Sequence, residues 1–157
     1  MKKPIFFVMA VSVIWLLNST GSCFLPDNYT ISIYNNTEHD INVLLSNGNP
    51  LFPDTLLPDR NYDTRYRYPT KPGLPRSYST GIPYKRYIQF YGSDTIIIFV
   101  FHADTLLKYT WDEVREGYRI LKRYDVSWQE MESLNGHIKY PPTEAEKGIR
   151  QFPPYEQ

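Results

Sequence analysis

The chain has 157 residues, sets 17 Lys and Arg against 17 Asp and Glu, and holds one cysteine. That length suits a single domain with one core, and the even charge argues against a general nucleic-acid binder, which carries a marked basic excess. A lone cysteine excludes an intramolecular disulfide framework and any multi-cysteine zinc or iron–sulfur site.

Lys2 and Lys3 precede an apolar run from Pro4 to Leu17. Such a run makes about 21 Å of helix, short of the ~30 Å hydrocarbon core of a bilayer. A basic start, a short apolar stretch and the small polar exit Asn18-Ser19-Thr20-Gly21-Ser22-Cys23 read as a secretory signal. The exit also resembles the lipobox of bacterial lipoproteins. Gly21 and Ser22 meet its small-residue requirement, while Thr20 stands where that family has Leu, Val or Ile. The resemblance implies cleavage just before Cys23 and a diacylglyceryl group on its thiol, with residues 1–22 as the lipoprotein signal peptide. A plain secretory signal with an incidental thiol is the other reading. Two or three acyl chains supply the paired anchoring that one chain lacks, at about 0.8 kcal/mol per buried methylene. Residues 23–28 then form a tether too short to let the folded part stray from the membrane.

In residues 29–142, expected to form one α+β domain, the first strand is Tyr29 to Tyr34, which alternates with period two. Asn35-Asn36-Thr37 has turn chemistry, and Ile41 to Leu45 continues as a second strand, so the two are expected to form a hairpin. Residues 46–83 read as irregular, because Pro53, Pro58, Pro69, Pro72, Pro75 and Pro83 forbid a long central strand or helix. Arg65 to Tyr68 suggests a short edge strand within an ordered loop that wraps over the sheet.

Arg86 to Tyr91 and Thr95 to Phe101 flank Gly92-Ser93-Asp94 and read as a hairpin. The second of these strands is apolar on both faces, so it belongs at the centre of the sheet with both sides covered. His102-Ala103-Asp104 reads as a turn and Thr105 to Tyr109 as a brief strand. Thr110-Trp111-Asp112-Glu113 and Ser127-Trp128-Gln129-Glu130 both fit the capping box and should start helices. Gly117 should end the first, and Asn135-Gly136 the second. His137 to Tyr140 returns to the sheet, and residues 143–157 are expected to fray. The fold class expected is α+β: an antiparallel sheet or small β-sandwich with one or two short helices towards the C-terminus.

The stretch Tyr118-Arg119-Ile120-Leu121-Lys122-Arg123-Tyr124-Asp125-Val126-Ser127, followed by Leu134-Asn135 and Tyr140-Pro141-Pro142, resembles a family of small Bacteroidetes lipoproteins of uncharacterised function. The likeness covers residues 23–142 and is sharpest from Thr95 onward. It implies a lipoprotein of one domain and no particular chemistry. In the same group of bacteria, Asp-Thr-apolar triplets on exported proteins are O-glycosylated; Thr55, Thr95 and Thr105 each stand in one. An Asp-Thr pair also simply opens a strand after a turn. Many surface-displayed lipoproteins of that group carry an acidic tag after the cysteine. Phe24-Leu25-Pro26-Asp27 lacks it, which points to an outer-membrane protein facing the periplasm.

Charge is unevenly spread. Residues 23–59 hold Asp27, Glu38, Asp40, Asp54 and Asp59 with no Lys or Arg, whereas residues 60–91 hold Arg60, Arg65, Arg67, Lys71, Arg76, Lys85 and Arg86 against Asp63 alone. The basic stretch is also rich in tyrosine. Tyr and Arg are common interface anchors, so Arg65, Tyr66, Arg67, Tyr68, Tyr84 and Arg86 are the residues expected at an interaction surface for an envelope protein or an anionic glycan. The intramolecular reading has the tyrosines packing over the sheet and the arginines pairing with the acidic segment.

Catalytic signals are sparse. His39, His102 and His137 show no metal-ligand spacing within one element. His102 beside Asp104 is the best pair for acid–base work, or else a turn histidine bonded to backbone. Asp112, Glu113 and Glu116 lie on the first turns of a helix, where acids favour the dipole. No nucleophile elbow, P-loop or dinucleotide glycine pattern occurs. The sequence assigns no catalytic residue, cofactor or metal. Its expected partners are the membrane through Cys23 and an envelope protein or glycan, and nucleic acid is not among them.

Overall fold

A computed structural model describes residues 30–47, 57–58 and 68–155. Cys23, Thr55, Arg65, Tyr66 and Arg67 lie outside the described residues. Seven strands and four short helices are described: β1 (Thr30–Asn35), β2 (Ile41–Asn47), β3 (Pro75–Ser79), α1 (Tyr84–Phe90), β4 (Thr95–His102), α2 (Ala103–Lys108), α3 (Trp111–Glu116), β5 (Lys122–Ser127), α4 (Trp128–Ser133), β6 (His137–Tyr140) and β7 (Arg150–Phe152). They form a three-stranded sheet in the order β3-β1-β6 and a four-stranded sheet in the order β2-β4-β5-β7. Every pairing is antiparallel except that of β1 with β6. The fold is α+β, as the sequence leads one to expect.

β4 organises the core. Its run TIIIFVFH is buried from Ile96 to Phe101, and the strand sits between β2 and β5. Successive side chains point to opposite faces, so Ile96, Ile98 and Val100 enter one cluster while Ile97, Phe99 and Phe101 enter another. The first cluster lies between the sheets, with Ile31 and Ile33 of β1, Ile138 of β6, Ile88 of α1 and Met131 of α4. The second covers the outer face of the four-stranded sheet, where Val114 of α3 and Leu57 close it. Trp111 Nε1 donates to Pro58 O at 3.1 Å. Leu57 and Pro58 thus lie against the outer face. Each Ile or Phe so buried contributes about 1.5–3 kcal/mol.

Buried tyrosines cross-tie the layers. Tyr78 Oη, from β3, donates to Val43 O in β2 at 2.7 Å. In the reverse direction Tyr124 Oη, from β5, donates to Lys139 O in β6 at 2.8 Å. Each ring fills core volume, and its hydroxyl satisfies a strand carbonyl of the opposite sheet.

Five local expectations are corrected. β1 and β2 are strands but do not form a hairpin: they belong to different sheets. The buried Asn35 explains this. Its Nδ2 donates to His39 O and Thr70 O, and its Oδ1 accepts from Thr37 N, so the connection is stitched to Thr70 and turned out of the first sheet. Residues 86–91 are helical rather than extended. Tyr84, Tyr87, Ile88 and Tyr91 recur with helical spacing, Pro83 occupies the N-cap, and Gly92 at φ +71° stops the helix. Residues 105–108 are also helix, because His102 Nδ1 caps α2 by accepting from Asp104 N at 3.2 Å.

The irregular stretch contains β3, which Pro75 opens at an edge, where no ladder donor is required of it. The C-terminal segment through Tyr155 does not fray. A 3-10 turn at Glu144–Glu146 leads to β7, which pairs with β5. The buried Glu146 holds that segment down: its carboxylate accepts from Lys139 N, Thr143 N and Thr143 Oγ1 at 3.0, 2.7 and 2.6 Å.

Both capping boxes are present. Thr110 Oγ1 and Ser127 Oγ accept from the N–H groups of Glu113 and Glu130, and each Glu returns the bond. Gly117 ends α3.

Candidate functional site

Strand register places two groups of exposed or half-buried chemistry at opposite ends of the sheets. At one end Thr30 pairs with Ser79, Ser32 with His137 and Thr95 with Ser127. The chain enters β1 here. The β3–β4 connection containing α1, and the β5–β6 connection containing α4, both begin and end here. At the other end lie Asn35 opposite Tyr140, and Val100 opposite Lys122.

At the entry end, α1 buries Tyr84 and Ile88 and exposes Lys85, Arg86, Gln89 and Phe90. This is one face of a helix, since residues four apart stack. Tyr84 Oη donates to Thr30 O at 2.7 Å, which locks α1 to the first residue of β1. Gly136, at φ +73°, lies against that bond: a Cβ there would overlap Tyr84 Oη and Thr30 O. Phe90 is 78% exposed and Tyr91 48%. Their rings meet edge to face at 5.2 Å, and Tyr87 meets Tyr91 at 5.5 Å. Lys85 Nζ stands 4.7 Å above the ring of Trp128, the first residue of α4. The result is an outward-facing aromatic cluster with two cations.

At the far end, a cleft of about 350 Å³ opens between Tyr140-Pro141-Pro142 and Pro153-Pro154-Tyr155. Lys122 is among its lining residues, and Nζ donates to Pro153 O at 2.6 Å and to Pro154 O at 3.3 Å. Tyr155 Oη donates to Glu144 Oε1 at 3.0 Å. Bonding to that carboxylate holds the Tyr155 hydroxyl above its ordinary pKa, and burial does the same for Tyr140. Both phenols are therefore neutral donors at physiological pH.

A third cluster lies on the outer face of the four-stranded sheet. Arg123 and Asp125, two apart on β5, form a bidentate pair at 2.6 and 3.0 Å, with Arg150 Nε 3.6 Å from the same carboxylate. Burial disfavours the Arg123 charge, but bonds to Asp125 and Tyr118 outweigh it and hold the guanidinium above its usual pKa. With Phe99 5.7 Å from its guanidinium carbon, Arg123 is fixed in place as a structural cation.

The residues expected at an interaction surface divide. Arg86 is exposed and Tyr68 is 70% exposed, but Tyr84, at 1%, is core. Its place on that surface is corrected, because the hydroxyl is engaged by Thr30. Tyr78 is likewise internal, and the exposed Lys71 is engaged within the chain, pairing with Asp40 at 2.6 Å on the surface. Thr95 is half-buried in the β4–β5 ladder, and Thr105 is half-buried in α2.

His102 acts as a backbone cap. Its ring is 5.5 Å from that of His39, whereas His137 packs against Tyr34. Among the described residues no three His, Cys, Asp or Glu side chains converge in a metal-binding group, and no helix is long and apolar enough to cross a membrane. Glu113 serves its capping box, and the Thr110 bonds lower its pKa.

Sequence reasoning missed Lys85, Phe90, Tyr91 and Trp128 as one face, because it read residues 86–91 as a strand. The spacing of Tyr84, Tyr87, Ile88 and Tyr91 was the available signal. The cleft had none, since it joins segments that only the parallel β1–β6 pairing and the β5–β7 pairing bring together.

Comparisons with protein families, with curated proteins and with solved structures find no match for this chain.

Proposed function

We propose that this protein is an exported, lipid-anchored protein of the cell envelope, held in the outer membrane through Cys23 and facing the periplasm, where it acts as a non-catalytic binding module. The observation that carries the reading is the order Lys2-Lys3, short apolar run, Gly21-Ser22-Cys23, and then a folded domain whose first strand opens at Thr30. Thr30 stands seven positions after the cysteine, so a lipid on Cys23 holds the start of that strand within about 25 Å of the bilayer. Detergent-phase partitioning tests the anchor: the wild-type protein enters the detergent phase and Cys23→Ala the aqueous phase. A variant that still enters the detergent phase would sink it. In-cell cross-linking then tests the module, with a stoichiometric envelope partner as the expected product.

The far-end cleft favours a second reading, carbohydrate binding. Tyr140 and Tyr155 offer flat rings and neutral hydroxyls around a concave volume of about 350 Å³, the lower range for a small-ligand site. Saturable binding to a glycan array that disappears in Tyr155→Ala and Tyr140→Ala would support it. Full retention in both variants would remove the cleft from consideration.

A further inference from the structure

We infer that the exposed face of α1 is a membrane-contact surface, which the tether presses against the headgroups of an anionic phospholipid bilayer. The inference rests on the lipid anchor proposed above and adds an orientation to it: the α1 end lies on the membrane and the cleft points away.

Three observations converge on this face. The first is position. The chain enters the fold at Thr30, whose carbonyl accepts from Tyr84 Oη in the first turn of α1. From Tyr84 to Phe90 the helix rises only about 9 Å, well inside the ~25 Å that the seven residues from Cys23 can span. The anchor and the face therefore share one end of the molecule.

Composition is the second. Phe90 is the most exposed phenylalanine among the described residues, at 78%, and Tyr91 follows it. Tyr91 has the apolar ring and wet hydroxyl that favour the headgroup boundary, and Phe90 offers a wholly apolar ring to bury beside it. The third is charge. α1 carries Lys85 and Arg86 and no acid, and cations next to such rings are placed for lipid phosphate. Asp94, in the turn after α1, and Glu132 on the neighbouring α4 are also exposed, so the aromatic pair carries the contact and the two cations only direct it. A lipid surface suits outward-facing side chains of this kind better than it suits the cleft, whose lining encloses a volume.

The test uses the full acylated protein reconstituted in vesicles of phosphatidylcholine and phosphatidylglycerol. Because Cys23 is the only cysteine and its thiol is blocked by lipid, Phe90→Cys and Leu107→Cys each offer one site for a nitroxide. Leu107, 86% exposed on α2, follows the far end of β4 and serves as the reference. The label at Phe90 should show a several-fold loss of collisions with an aqueous nickel chelate and a gain with oxygen, while the label at Leu107 reads as bulk water. Lys85→Glu with Arg86→Glu should weaken the difference in anionic vesicles. Vesicles that carry the protein with both labels equally open to the chelate overturn the contact face and leave the anchor standing. Failure of the acylated protein to float with vesicles overturns both.

Discussion

The two ends of the sheets are built from different material. The entry end is closed by two short helices, α1 and α4, which turn Tyr84, Ile88 and Met131 into the inner core and leave Lys85, Arg86 and Phe90 outside. The far end carries the short helix α2 after β4 and, beside it, extended, proline-rich chain, where Lys122 and Glu146 satisfy backbone groups that no strand partner reaches. A helix satisfies its own backbone and frees its outer side chains for contact with something else. Extended chain must borrow partners and so becomes committed inward, leaving only a cleft. The comparison teaches that the entry end presents exposed side chains outward, while the far end presents a cleft of about 350 Å³.

The largest effect should come from breaking the entry end at its tightest point. Gly136→Ala forces a Cβ into the Tyr84–Thr30 bond and strains a φ of +73°. A loss of about 3–5 kcal/mol, readable by urea unfolding, is expected from a buried clash of this type. Next come the cross-ties. Tyr124→Phe and Tyr78→Phe keep the rings but strand a buried carbonyl in the facing sheet, at about 1–2 kcal/mol each. Equal, additive losses in the double variant would indicate two independent ties.

Alkaline pH offers a third probe. Burial raises the pKa of Tyr124 and Tyr140 above the ordinary 10.0. In the unfolded chain these phenols ionise first, so their contribution is fully present below pH 10 and is lost as pH rises beyond it. An unfolding midpoint that does not fall above pH 10 would contradict their burial.

Lys122→Met tests the far end. It removes the bonds to Pro153 and Pro154 but keeps most of the side-chain volume. A loss of about 1 kcal/mol or more is expected, with faster amide exchange confined to residues 150–155. The smallest effect belongs to Glu113, whose pKa the Thr110 bonds lower. Its contribution is present above the ordinary carboxylate range and fades as pH falls through its lowered value, so α3 should fray first on acidification. Glu113→Gln should remove that pH step.

Local signals in the sequence were informative where one residue decides one feature. The two capping boxes, the stop at Gly117 and the doubly buried β4 could all be read directly, because each depends on neighbours within a few positions. The failures have a common cause. Asn35 carries turn chemistry in any context, but Thr70 decides which way the chain leaves the turn, 35 residues away. Tyr84 looked like an interface anchor in a basic stretch until Thr30, 54 residues earlier in the chain, claimed its hydroxyl. The C-terminal segment lacks periodicity because β7 is three residues long; the buried Glu146 and the β5 ladder hold it down. Of the sites, Cys23 rests on local pattern alone, and the α1 face emerged only once the helix was placed.

The anchor is the premise on which the orientation of the two ends depends, and intact mass spectrometry of the protein isolated from membranes tests it most directly. The account predicts a chain that begins at Cys23 and carries the added mass of a diacylglyceryl group on that residue. A mature chain that begins elsewhere, or one that begins at Cys23 with a bare thiol, would contradict it.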